Sequence, residues 1–155
     1  MSLAEAKLRA IGLELPPAPP PAANYIGWRR SGNEVWVAGV GPTWGRDIRY
    51  TGKVGASLSF EIALEAARLT ALNLLAHVKE AADGNLDRVA GCLKIFALVN
   101  AGPDYTDAHL VANGATDLLV ALYGEVGRPA RSVIIAPSLP MEIAVEMDAL
   151  FLLKD

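Results

Sequence analysis

One arginine and one glutamate near the C-terminus stand out because each lies in an apolar run typical of a β-strand. Arg131 lies at the start of the run over residues 130–137, and Glu146 lies inside the run over residues 143–153. Burying a charged side chain costs free energy unless the charge is paired or used. A guanidinium can bind a carboxylate through two parallel hydrogen bonds, and a carboxylate in apolar surroundings can exchange protons near neutral pH. The two residues therefore predict a site for a small carboxylic acid and a water molecule.

The same two residues also have a purely structural explanation. An ion pair between Arg131 and Glu146 would fix two edge strands at a subunit contact, without any ligand. Asp148 shares a strand face with Glu146, because side chains alternate along a strand. It would serve either as a second carboxylate of the site or as the solvated partner of Arg131 or Arg128. The residue pattern fits both explanations.

Other residue types that often carry chemistry are few. Cys92 is the single cysteine and lies in an apolar run, so we expect a buried thiol rather than a nucleophile. His77 falls on a predicted helix with no second histidine or cysteine in register, and His109 is equally isolated, which disfavours a metal site. Residues 41–57 are rich in glycine but match neither phosphate-binding glycine pattern, and we predict a surface loop there.

Composition limits the classes of partner. A length of 155 residues indicates one domain, and a formal net charge of −3 gives no basic footprint for nucleic acid. No apolar stretch approaches the roughly 20 residues that a membrane span needs, and the N-terminus lacks the layout of a signal peptide. A lone cysteine suits a reducing compartment. We therefore expect a cytoplasmic protein with no nucleic-acid partner and no membrane partner.

Hydrophobic periodicity predicts the elements that position these residues. Helices are predicted at 3–11, 60–82 and 107–123, and strands at 24–30, 34–40, 89–100, 130–137 and 143–153. This order predicts an α+β fold with two helices on one face of a single sheet, plus a short N-terminal helix. We assign residues 1–14 to a helical extension and residues 15–155 to the domain. The other face of the sheet needs a cover, for which we expect another copy of the chain.

The C-terminal residues resemble the ending of the YjgF/Rid family, whose members are also labelled L-PSP endoribonucleases. The resemblance spans about residues 15–153, and the segments that carry it are Asn24-Tyr25, residues 85–100, Pro129-Ala130-Arg131-Ser132, Leu139-Pro140 and Val145-Glu146-Met147-Asp148-Ala149. It implies a chorismate-mutase-like fold and a homotrimer with ligand clefts between subunits, without cofactor or metal. The N-terminal extension, residues 41–57 and residues 111–115 place the chain outside the best-known deaminases.

For the deaminating members, the resemblance implies hydrolysis of reactive 2-enamine or 2-imine acids, such as 2-aminoacrylate, to 2-oxo acids and ammonia. The arginine matched by Arg131 binds the substrate carboxylate, and the glutamate matched by Glu146 handles the attacking water. The tyrosine matched by Tyr25 lines the cleft, and Asn113 is the candidate for a further cleft residue. Val133 stands where many deaminases have a cysteine, so only its backbone groups would be available to a ligand.

Two other functions compete with deamination. The first is a protein that binds a small carboxylate, such as a 2-oxo acid, without turnover, and the valine at position 133 fits that function. The second is the ribonuclease that the other family label implies. The acidic charge balance and the isolated histidines disfavour the ribonuclease, because RNA cleavage normally needs phosphate contacts and an acid–base pair.

Overall fold

The two principal helix starts follow from capping side chains. At Ser2 the hydroxyl oxygen accepts a hydrogen bond from the Glu5 backbone N–H, and the Glu5 carboxylate accepts one from the Ser2 backbone N–H. This capping box satisfies N–H groups that a helix start leaves unpaired. Ser59 caps the longest helix through the backbone N–H of Ile62 in the same way. The N-terminal helix and the long central helix therefore begin where the sequence predicts.

The computed structural model describes residues 1–155. Its helices are α1 (Leu3–Ala10), α2 (Phe60–Ala81), α3 (Ala108–Val111) and α4 (Asn113–Tyr123). Its strands are β1 (Trp28–Ser31), β2 (Glu34–Val40), β3 (Thr43–Trp44), β4 (Asp47–Ile48), β5 (Val89–Asn100), β6 (Ala130–Ala136) and β7 (Val145–Leu153). None of the helices combines the length and the apolar character that crossing a bilayer requires.

Five strands form one sheet in the order β1-β2-β7-β5-β6, and β3 and β4 form a separate two-stranded hairpin. The pairing of β5 with β6 is parallel, and the other pairings in the sheet are antiparallel. The helices α3 and α4 connect β5 to β6, as a parallel connection requires. β7 is therefore the central strand and β6 an edge strand, so the ion-pair explanation of Arg131 and Glu146, which requires two edge strands, does not fit this sheet.

The two faces of the sheet differ in their cover. Along β7 the residues at alternate positions from Val145 to Leu153 are buried against the helices, and Ile95 and Val99 of β5 share that face. The opposite face exposes 53 % of Trp36 and 51 % of Ile134. The prediction of an α+β fold with helices on one face of a single sheet is confirmed.

Three local differences separate the predicted elements from the observed ones. The second predicted helix, over residues 107–123, is divided at Ala112 into α3 and α4. The first strand begins at Trp28 rather than at residue 24. Residues 41–57, predicted as a surface loop, contain the β3–β4 hairpin, and Val54 within them is buried.

Helix α1 is attached to the domain by polar contacts from three elements. The Asp87 carboxylate accepts hydrogen bonds from the first backbone N–H groups of α1 at 2.7 and 3.0 Å, which favours a negative charge at that end of the helix. Lys79 of α2 donates to Glu5 at 2.7 Å, and Lys7 donates to the Leu122 carbonyl oxygen at 2.7 Å. Leu8 is fully buried. The N-terminal helix is thus packed into the same core as the sheet.

Acid should loosen α1 before the rest of the chain unfolds. The hydrogen bond from Lys79 and the N–H of Ser2 lower the pKa of Glu5 from 4.5 to about 2. A carboxyl group whose pKa is lowered in the folded state stabilises that state fully above pH 4.5. It loses this effect as the pH falls toward about 2. We expect the protection of the amide hydrogens of residues 3–10, measured against their intrinsic exchange rate at each pH, to fall across this interval. The change Lys79→Met should reduce this pH dependence, and the remainder is due partly to Asp87, whose pKa the N–H of Leu3 lowers. An identical profile in that variant would contradict the assignment to Glu5 and Lys79.

Candidate functional site

A cavity of about 500 Å³ lies where the end of β2 and the start of β7 meet the β3–β4 hairpin and the proline-rich segment before β1. Most of its wall is apolar, with prolines 19–21, Val40, Ile48 and Ile143 among the contributors. The polar side chains in the wall belong to Tyr25, Thr43, Arg46, His77 and Glu146. A largely apolar cavity with a few convergent polar groups is the usual form of a small-molecule site.

Glu146 reaches this cavity because β7 alternates its side chains between the two faces of the sheet. Its neighbours Val145 and Met147 are buried on the helix side, and Glu146 lies half-buried on the other face. Gly39 of β2 lies beside it, and a Cβ atom on Gly39 would come within 3.4 Å of the Glu146 Cδ. None of the six ion pairs in the chain includes Glu146. Its carboxyl group therefore faces the cavity without a cationic partner.

Burial raises the pKa of Glu146 above its ordinary value, and the negative charge of Asp148 on the same strand face raises it further. Burial also raises the pKa of Asp148, while the nearby Lys94 ammonium opposes that shift. A carboxyl group with a raised pKa can accept and return a proton closer to neutral pH than a free carboxyl group can. Glu146 thus has the electrostatic character of a proton-transfer group.

Arg131 lies elsewhere, at the β6 edge of the sheet. Its guanidinium donates to Asn113 Oδ1 at 2.8 Å, to Thr116 Oγ1 at 3.1 Å and to the His109 carbonyl oxygen at 2.8 Å. The helix break at Ala112 places Asn113 at the start of α4, facing the arginine. Since a guanidinium has five N–H bonds, these contacts leave Nε–H and one Nη2–H without a protein acceptor.

Arg131 and Glu146 point to opposite faces of the sheet. Arg131 is paired with Ile95, which is buried on the helix side, whereas Glu146 is paired with Leu98 on the other face. Strand β5 also lies between their two strands. The ion pair between them that the sequence allowed is therefore absent within one chain, and the two residues do not share an intrachain site.

The other predicted site residues divide between the same two places. Tyr25 lines the Glu146 cavity, and its phenol oxygen accepts a hydrogen bond from the Ala22 backbone N–H at 3.2 Å. Asn113 bonds Arg131, and Val133 follows on the same face of β6, packed against the core. The structure thus brings Tyr25 and Glu146 together, and separately Arg131 and Asn113.

Sequence reasoning missed three polar residues of the cavity, Thr43, Arg46 and His77. His77 was treated as isolated, and Arg46 lies in the segment predicted as a surface loop. The signal available in the sequence was the glycines at 27, 39 and 41, since residues without side chains allow other groups to approach the backbone closely.

The expectation of a buried Cys92 thiol is confirmed, and burial raises its pKa to about 12.

The rim of the cavity contains two residues with left-handed backbone conformation. Met141 and Glu142 have φ angles of 57° and 56°, which residues with a Cβ rarely adopt. Two backbone hydrogen bonds connect this turn to the segment after β4. The Gly52 N–H donates to the Glu142 carbonyl oxygen at 2.8 Å, and the Ala144 N–H donates to the Tyr50 carbonyl oxygen at 2.9 Å. Strained backbone of this kind persists only where surrounding contacts hold it.

Comparison with known proteins identifies the relatives of the chain. A sequence model described as "YjgF/chorismate mutase-like, putative endoribonuclease" matches residues 5–152. Protein TCP17 of Trypanosoma cruzi is 41 % identical over 146 residues, which cover 94 % of this chain and 91 % of that protein. The crystal structure of Atu1372 from Agrobacterium tumefaciens is 37 % identical with a TM-score of 0.91, covering 99 % of this chain and 94 % of that chain. RidA from an Antarctic Psychrobacter is 23 % identical with a TM-score of 0.60, covering 88 % and 94 %, and shares the fold.

The change Glu146→Gln should stabilise the chain at high pH only. Because the folded-state pKa of Glu146 is raised above 4.5, ionisation of this group disfavours the folded state. That penalty is absent below 4.5 and grows as the pH rises through the raised pKa. We expect the variant to melt at a higher temperature than the wild type above this pKa and at the same temperature below 4.5. A constant difference at every pH would contradict the raised pKa.

Proposed function

Since the chain belongs to the YjgF/chorismate mutase-like family, we propose that it hydrolyses 2-enamine and 2-imine acids to 2-oxo acids and ammonia in clefts between the subunits of a homotrimer. The observation that carries the proposal is the Glu146 carboxyl group, which faces an apolar cavity, has a raised pKa and lacks a cationic partner. Such a group can direct a water molecule and exchange its protons.

The separation of Arg131 from Glu146 supports an assembly in which one subunit completes the site of the next. In this arrangement the β6 edge of one subunit supplies Arg131, and the cavity of its neighbour supplies Glu146 and Tyr25. The exposed Trp36 and Ile134 on the uncovered face of the sheet give an apolar surface for such contacts. The assembly would also cover the face that the helices leave open.

Arg131 is suited to hold the substrate carboxylate. Its contacts to Asn113, Thr116 and the His109 carbonyl oxygen fix the guanidinium and leave adjacent N–H donors on Nε and Nη2. Two adjacent donors of a guanidinium bind a carboxylate through parallel hydrogen bonds. In this proposal Asn113 positions the anchor, and the backbone of Val133 lies beside the bound acid.

The reaction requires little beyond positioning and proton transfer. An enamine acid first takes a proton from solvent at C3, and its C=C π bond gives way to the C=N bond of the iminium. The oxygen of a water molecule attacks C2 of the iminium, the C=N π electrons move to nitrogen, and the Glu146 carboxylate takes the proton that the water loses. Glu146 then returns this proton to the nitrogen, and the C–N bond breaks as ammonia leaves. The C=O bond forms as the hydroxyl group loses its proton, which ends on ammonia as ammonium. General acid–base catalysis of this kind contributes about 100-fold to 10,000-fold in rate.

The direct test measures release of 2-oxo acid from freshly generated 2-aminoacrylate. We expect the wild type to accelerate hydrolysis, Glu146→Gln to lose at least about 100-fold in kcat, and Arg131→Ala to lose saturable binding. Arg131→Lys, which keeps the charge but lacks the planar fork, should raise KM. The matched control is Arg128→Ala, because Arg128 is exposed and bonds only the nearby Glu125.

The outcomes separate the competing functions. Sedimentation equilibrium should give three subunits for the wild type and for both Arg131 variants. A saturable melting shift with 2-oxobutyrate but no acceleration would replace deamination by carboxylate binding, for which Val133 at the cysteine position already provides a reason. Neither acceleration nor binding would reject the proposal.

A further inference from the structure

Helix α2 carries one buried histidine to the wall of the Glu146 cavity. His77 is 4 % exposed and lines this cavity together with Gly27 and Glu146. A Cβ atom at Gly27 would overlap the imidazole ring, so the ring occupies the space that a side chain at position 27 would take. The position of His77 therefore depends on a glycine in the segment leading into β1.

One nitrogen of the His77 ring has a carboxylate partner. Its Nδ1 lies 3.4 Å from the Glu80 Oε2, and the same oxygen accepts a hydrogen bond from the Trp28 Nε1–H at 3.1 Å. A carboxylate at Nδ1 favours the tautomer with the proton on Nδ1, which leaves the lone pair on Nε2. Glu80 and Trp28 thus orient the imidazole and select its tautomer.

The other nitrogen has no protein partner. No hydrogen bond from the chain reaches His77 Nε2. The side-chain atoms that are both buried from solvent and without a partner belong to Thr43 and Asn73, so Nε2 is not one of them. The ring borders the Glu146 cavity on one side and, on the other, a groove lined by Arg29, Arg30 and Glu80. His77 Nε2 thus has no hydrogen bond within the chain and is not fully buried from solvent.

A backbone contact connects His77 to Glu146. Gly27, which touches the His77 ring, accepts a hydrogen bond from the Ala38 N–H at 2.9 Å. The residue after Ala38 is Gly39, which lies beside the Glu146 carboxyl group. Two glycines on adjacent backbone segments thus leave room for two titratable side chains in one cavity wall.

We propose that His77 is a second proton-transfer group of this site, acting on the same substrate as Glu146. This inference rests on the proposed deamination. While Glu146 carries the proton from water to the departing nitrogen, His77 Nε2 takes the proton that the carbinolamine hydroxyl group loses as the C=O bond forms. His77 then releases that proton to solvent, where ammonia becomes ammonium, so charge and protons balance over the reaction.

The first experiment compares His77→Asn with the wild type in the 2-oxo acid release assay. The asparagine amide can replace Nδ1–H toward Glu80 but has nothing at the place of Nε2. We expect kcat to fall about 100-fold while KM stays within about twofold. His77→Gln provides a second variant if His77→Asn melts early. Glu65→Gln, on the exposed face of the same helix, is the matched control and should behave like the wild type.

The second experiment follows the histidine ring signals by NMR during titration with 2-oxobutyrate, the product-like probe. The chain has two histidines, so the signal missing in His77→Asn identifies His77. We expect this signal to shift on binding. Turnover with normal kcat in both His77 variants and an unmoved signal would overturn the role of His77 while deamination stands. A shifted signal without turnover of any imino acid would overturn deamination, and with it the proton-transfer role.

Discussion

The alternation of side chains along the central strand β7 is the constraint on which the rest of the structure depends. β7 pairs on both sides, with β2 and with β5, so its register is fixed by two neighbours at once. Its buried positions from Val145 to Leu153 join the core under the helices. The residues between them must then face the other way, and this places Glu146 in the cavity. The free energy gained by burying its apolar neighbours therefore fixes the position of the Glu146 carboxylate.

Local features of the fold were predictable because local patterns determine them. The caps at Ser2 and Ser59 and the apolar run of β5 gave elements at nearly the observed bounds. The neighbours of each strand were not predictable in the same way, because β5 enters the sheet between two strands that follow it in the chain. This insertion decides that Arg131 and Glu146 lie apart. His77 was missed because Gly27, which lies against its ring, comes from a segment far away in sequence.

Arg131 and Glu146 differ in the contacts that hold them within one chain. Arg131 is held by Asn113, Thr116 and a carbonyl oxygen, so its orientation is set before any partner arrives. Glu146 lies in a preformed cavity but has no counter-charge. Within one chain the arginine that is held in place and the carboxylate that faces the cavity therefore lie at separate places. Membership of the YjgF/chorismate mutase-like family gives this division a reason, because a shared cleft would unite them.

The proline-rich wall of the cavity has a consequence for how the chain can diversify. Prolines restrict the unfolded chain as well as the folded one, so little conformational entropy is lost when residues 19–21 become ordered. The wall is short, contiguous in sequence and outside the five-stranded sheet, while Glu146 and Gly39 lie on strands. Substitutions in this wall would change the shape presented to a ligand without altering strand register. The shape of this wall and the strands that position Glu146 are thereby encoded in separable stretches of the gene, and each can vary while the other is kept.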